Sequence, residues 1–255
     1  MTIEHLAENF WNIRGVFKIA HTLNIGTQMS LVRRPSGAFV MLDSYQLDDA
    51  DRSDLMTLTN QGAQIEAILN VHPFHTVDCE FLSELLPDAR LIGTRRHHQE
   101  LSHLKWDPNL IEEQATQQQF ADCLDFSIPD GVEFVCDDES IHVSSVLVRH
   151  GESGIVHVDD TLMYLDLPTL LEKFGAGPKL RFHPKLADAL QKRPGAADDF
   201  IAWARRLALE WQDTQTICAA HKGILHLQDS TFGQAIETAL DHSSSVLENH
   251  RETHG

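Results

Sequence analysis

The stretch that most constrains this chain is Ile65–Leu86, IEAILNVHPFHTVDCEFLSELL. It opens as a short apolar run (Ile65, Ala67, Ile68, Leu69, Val71) of the kind a buried strand needs. It breaks at Pro73 and resumes with Phe81, Leu82, Leu85 and Leu86 on one helical face. Between strand and helix stand His72, His75 and Asp78. α/β proteins place their chemistry in loops at the ends of buried strands, where a rigid scaffold presents side chains to solvent. Two imidazoles and a carboxylate in such a loop make a metal the first reading. The competing reading is a surface loop in a histidine-rich chain: sixteen of the 255 residues are His, roughly one position in sixteen.

Composition narrows the class. Hydrophobic residues make up 42% and charged residues 23%, ordinary for a soluble globular protein. No apolar run approaches the ~20 residues a membrane span requires, and the N-terminus shows no signal-peptide pattern. The scattered cysteines Cys79, Cys123, Cys136 and Cys218 form no Cys-x-x-Cys pair and read as reduced thiols of a cytoplasmic protein. A formal net charge of −18, with only short basic clusters such as Arg95–Arg96, argues against nucleic acid as a partner. The expected partner is a small-molecule substrate, with no membrane contact; a homo-oligomer is left open.

In chain order, residues 1–15 read as a short amphipathic segment and 16–43 as antiparallel strands. A helix is expected over 47–64, the strand over 65–71, a helix over 78–86 and a strand over 90–94. Residues 95–104 read as a short helix. Strand runs return between 123 and 166, including VEFVCDD, IHVSSVLVRH and GIVHVDDTLMYLD. Residues 167–195 hold four prolines and read as an irregular insertion. A helix over 196–211, a strand over 214–221 and a helix over 230–250 close the chain. Two such halves predict one domain over 1–255, an α/β fold of two mixed sheets packed face to face with helices outside, a four-layer αββα sandwich.

Three further places fall at expected strand ends. His150 is followed by the turn Gly151-Glu152-Ser153-Gly154. Asp160 stands beside Asp159 before an apolar run, and His221 precedes Lys222-Gly223. With VHPFHTVD, these residues make the sequence resemble the metallo-β-lactamase fold superfamily. That family carries a His-x-His-x-Asp-His loop, a His before a Gly-containing turn, a Gly-Asp pair before an apolar run, and a His-Gly near the last strand. The resemblance spans nearly the whole chain. It implies one or two bound metal ions, zinc first, with iron or manganese as alternatives. It also implies hydrolysis by a metal-bound hydroxide.

On that basis His72, His75 and His150 are the expected ligands of a first metal. Asp160 and His221, with Asp78, are the expected ligands of a second, and Asp78 or Asp160 the expected proton acceptor. The first loop departs from the family pattern. Aligned on its helix, His75 falls on the second His, while Pro73, Val77 and Asp78 replace the first His, the Asp and the last His. Aligned on His72, Phe74 replaces the second His and the Asp is lost. The expected activity is metal-dependent hydrolysis of a small ester, lactone, thioester or related substrate. The alternative is a non-catalytic metal- or ligand-binding relative of the same fold; an iron-dependent redox role ranks third. His142 and His157 alternate with apolar residues and read as facing either the site or solvent. His97, His98, His103 and His183 read as surface residues. Gly151–Gly154 is one residue short of a serine-hydrolase elbow.

Overall fold

A computed structural model describes residues 3–16, 18–19, 23–24, 26–164, 179–220, 223–228 and 230–255. The first sheet is built from β1 (Ile3–Ala7), β2 (Phe10–Gly15), β5 (Thr27–Arg33), β6 (Phe39–Leu42), β7 (Ile65–Leu69) and β8 (Arg90–Ile92), hydrogen-bonded in that order. Two short strands, β3 (Lys18–Ile19) and β4 (Leu23–Asn24), pair apart from it. The second sheet runs β15 (Gly223–His226), β14 (Thr216–Ala219), β11 (Val156–Val158), β10 (Leu147–His150), β9 (Leu124–Ser127). The β6–β7–β8 pairings are parallel, and so is β11–β14.

Side-chain alternation explains the layering. In β5, Met29 and Leu31 join the core beneath α1 (Asp49–Leu58) and α2 (Cys79–Leu85), whereas Val32 joins the core between the sheets with Val40, Leu69, Val146, Val148 and Cys218. Outside the second sheet, Phe200, Trp203, Ala204 and Leu207 of α6 (Ala196–Glu210) pack on Leu147, Val158 and Ile217. Phe232, Ile236 and Ala239 of α7 (Phe232–His242) join them. The result is the expected αββα sandwich.

Several expected elements differ. Residues 3–15 form a hairpin rather than an amphipathic segment, with Ile3 opposite Ile13. The helix expected over 47–64 ends at Leu58, because Asn60, Gln61 and Gly62 all adopt positive φ (52°, 59° and 81°). VEFVCDD forms no strand, contributing only an isolated bridge from Val132 to Leu190. The first part of the expected insertion, 167–178, lies outside the described residues. Its remainder is ordered: β13 (Leu180–Phe182) pairs with β12 (Leu162–Tyr164), and a short α5 (Leu186–Ala189) follows. The closing helix divides at Ser243 into α7 and α8 (Ser244–His254). Among the described residues no helix is long and apolar enough to cross a membrane.

Candidate metal centre

Strands β6, β7, β11 and β14 all end on one edge of the sandwich, and the site lies there. After β7 the chain turns through His72–His75, closed by the His75 N–H donating to the His72 carbonyl (3.1 Å). This fold of the loop stacks the two imidazoles, with ring centroids 4.0 Å apart and planes at 19°. The loop is held from behind. His97, in α3 (Arg95–Glu100), uses Nδ1 in a capping box with Thr94 and approaches the His75 carbonyl with Nε2 (3.3 Å). Burial lowers the His97 pKa to about 4, so the ring is a neutral donor.

Asp160, at the end of β11, is the hub. Its Oδ2 lies 3.2 Å from His72 Nε2, 3.9 Å from His75 Nε2 and 3.9 Å from His142 Nε2. His142 reaches the site because the segment before β10 is pinned on both sides. Ser145 N donates to Thr161 Oγ1 (3.0 Å), and Val146 N donates to the Val71 carbonyl (2.9 Å). His183 stands behind His142, with centroids 5.9 Å apart, and Phe74 lies at the same distance on another side.

The geometry suits an ion. His72 Nε2 is buried and has no hydrogen-bond partner despite the carboxylate 3.2 Å away. A hydrogen bond needs donor and acceptor in line. Two ligands converging on a third point do not, and around a tetrahedral ion ligand atoms sit roughly 3.3 Å apart. His72 Nδ1 accepts the Phe74 N–H (3.1 Å), so coordination through Nε2 requires that amide to turn away. The residues therefore fit a metal, at the cost of one loop hydrogen bond.

Of the residues singled out in the sequence, the structure brings His72, His75 and Asp160 together, with ligand atoms within 4.8 Å of one another. His150 is not with them. It ends β10, which runs antiparallel to β11, so it lies at the other edge of the sandwich. It stands four residues beyond Val146, about 13 Å further along the strand. There it contacts Ser153 Oγ through Nδ1 (2.7 Å) and lines a cavity of about 420 Å³ with Asn9, Arg33 and Glu152. Asp78 also stands outside the group. It precedes α2, takes a hydrogen bond from the Gln46 backbone, and burial raises its pKa. His221 lies outside the described residues, although Arg14 donates to the carbonyls just before it, Ala219 (2.6 Å) and Ala220 (3.2 Å).

A second cluster adjoins the first. Asp43 (φ 62°) follows β6, accepts the Val71 N–H at Oδ1 (2.8 Å) and accepts from His157 Nε2 at Oδ2 (3.0 Å). His157 Nδ1 meets Ser30 Oγ at 2.9 Å. Asp159 completes the group, and its Oδ1 lies 3.8 Å from His75 Nδ1. Burial pushes both carboxyls up, but the hydrogen bond and charge of His157 hold Asp43 below the usual range. Asp159, desolvated and beside the Asp43 charge, is raised well above it.

The sequence leaves His142 and His157 open between site and solvent, and does not assemble this second cluster. Hairpin arithmetic was the available signal. The turn at 151–154 joins β10 to β11, so by the pairing of Val148 with His157 a site at Asp160 draws on the chain near Ser145, ahead of β10, and not on His150.

Two mixed sheets sandwiched between helices, with histidines and aspartates gathered on the edge where parallel strands end, make an αββα sandwich with a candidate metal centre. The chain has the metallo-β-lactamase fold. It is similar to a metallo-β-lactamase from Erythrobacter litoralis with β-mercaptoethanol in its active site, at 16% identity and a TM-score of 0.62, covering 95% of this chain and 96% of that one. It is also similar to a metallo-β-lactamase from Pontibacter korlensis (10% identity, TM-score 0.59, coverage 97% and 98%). A third similar structure is the mono-zinc form of the metallo-β-lactamase FIM-1 from Pseudomonas aeruginosa (10% identity, TM-score 0.60, coverage 96% of each chain). No protein-family model matches the sequence, and neither does any curated protein.

Proposed function

We propose that this protein is a cytoplasmic, metal-dependent hydrolase of a small ester, lactone, thioester or related substrate. The observation that carries the reading is the convergence of three imidazole Nε2 atoms on Asp160 Oδ2, with His72 Nε2 buried and unpartnered. His72, His75, His142 and Asp160 would hold the ion, zinc first, and His221 is kept as a further ligand from its place in the sequence. When bound, the ion would supply Lewis acidity to a water and to a substrate carbonyl.

The chain's own residues supply the rest. Three imidazoles and a single carboxylate supply one negative charge, so a divalent ion held by them would keep a net positive charge to polarise a water and a carbonyl. Asp160 is the carboxylate within reach of a proton released there. Asp78 is not, since it faces the Gln46 backbone. Phe74 gives the site an apolar wall suited to an acyl group, and Arg96, seated over its ring at 4.4 Å, keeps that wall in place.

The test is turnover of an ester, lactone, thioester and phosphodiester panel by zinc-, iron- or manganese-loaded protein. Activity should disappear on chelation and return with metal. Inertness of the loaded protein across the panel would favour a non-catalytic metal- or ligand-binding relative of the same fold.

A further inference from the structure

We infer that Asp43, His157 and Asp159 form a second, sealed cation site that staples the two sheets together, separate from the centre around Asp160. The three side chains come from both sheets: Asp43 follows β6 of the first, while His157 and Asp159 belong to β11 of the second and its end. Their ligand atoms lie within 4.8 Å of one another, and each residue is at most 2% exposed. Two carboxyls packed together without water hold either a shared proton or a cation between them, and an ion bound here would displace that proton. Asp159 Oδ2 is buried with no hydrogen-bond partner, which marks an acceptor that the described protein atoms do not satisfy.

The surrounding groups suit coordination. The 3.0 Å between His157 Nε2 and Asp43 Oδ2 is close to the roughly 3.3 Å between ligands of a tetrahedral ion. Ser30 Oγ faces the other ring nitrogen at 2.9 Å, and a hydroxyl can accept a proton there. His157 Nε2 donates to Asp43 here; a proton moved to Nδ1, facing Ser30, would release Nε2 as a ligand, the arrangement that outer partners of metal-bound histidines usually enforce. Asp43 Oδ1 is already fixed by the Val71 N–H. One imidazole and two carboxylates, with the spare Asp159 oxygen as a fourth donor, match zinc or manganese. Because the site is closed to solvent, the ion would enter as the chain folds and leave only when it unfolds.

The test compares metal retention under native conditions with retention after unfolding. Wild-type protein dialysed against EDTA should keep about one equivalent of zinc or manganese, whereas the partly exposed Asp160 centre should empty. Asp160→Asn should keep that equivalent and His157→Gln should lose it. Wild-type chain unfolded with EDTA in guanidinium, then refolded with and without Zn²⁺ or Mn²⁺, covers the case in which His157→Gln does not fold. The ion should raise Tm by roughly 5 °C or more. Complete stripping by native dialysis together with an unchanged Tm would overturn the proposal, and so would full retention by His157→Gln. Neither result depends on whether the Asp160 centre is catalytic.

Discussion

The two histidine–aspartate clusters lie within one ring's breadth of each other and differ chiefly in water. Around Asp160, the side chains of His75 and His142 are 28% and 42% exposed. Around Asp43, both side chains of the His157 pair are at most 3% exposed. The same residue types thus serve opposite ends. A cluster that water can enter can exchange ligands and meet a substrate, whereas one closed to water can only hold its contents and brace the walls. The hydrogen bonding follows the same division. His157 is bonded at both nitrogens, while His72 keeps one buried nitrogen without a bond.

The most severe break should come from the sealed side. Asp43→Ala removes the acceptor of a buried backbone N–H and of a buried imidazole, which should cost about 3–5 kcal/mol in urea unfolding. His142→Ala, on the open side, should cost under about 1 kcal/mol in the same assay. If the two substitutions cost the same, the distinction drawn here fails.

A second effect depends on pH. His97 is held neutral in the fold, with a pKa of about 4 against 6.5 for the free side chain. The unfolded chain therefore binds the extra proton between these values. Its contribution to stability is complete above pH 6.5 and is lost progressively as pH falls toward 4, amounting to about 3 kcal/mol. Unfolding free energies measured across that window for wild type and His97→Gln should converge at the acid end.

Third, Asp160→Asn should reduce hydrolysis at least about 100-fold, or ~2.7 kcal/mol in transition-state terms, while leaving the fold intact by circular dichroism. Retained activity would move the chemistry elsewhere. A small effect is also expected for His150→Ala, which loses a hydrogen bond to Ser153 and should cost about 1 kcal/mol of stability. Metal content and turnover should not change, and a loss of metal there would contradict the strand geometry.

The parts of the fold legible in the sequence were those where one physical signal dominated. The strand–loop–helix at 65–86 and the helix at 196–211 stand where their apolar patterns put them. Residues 3–15 escaped because half-exposed strands carry polar and apolar residues in a ratio that also fits a short helix, and pairing with β5 settles the matter only in three dimensions. The site divided along similar lines. His72, His75 and Asp160 follow apolar runs directly, so the strand ends that carry them meet at one edge. His142 sits five residues ahead of the regular part of β10, and its place depends on Thr161 and Val71 holding the intervening backbone. His150 stands apart from the others because a strand has two ends and periodicity does not say which one faces the cluster.

Arg14 carries a consequence for how such a protein is made. Its guanidinium joins the second strand of the chain to the carbonyls of Ala219 and Ala220, more than two hundred residues later. Gln28, from the neighbouring strand, reaches the carbonyls of Val158 and Cys218 in the same way. The edge of the sandwich that holds both clusters is thus a seam between the beginning and the end of the polypeptide. A nascent chain lacking residues 216–255 keeps the Val158 carbonyl but lacks those of Cys218, Ala219 and Ala220, so most of that seam stays open. Early-formed elements must wait with polar groups unmatched until the final strands arrive. Truncations from the C-terminus should therefore abolish the centre as a unit rather than trim it by degrees.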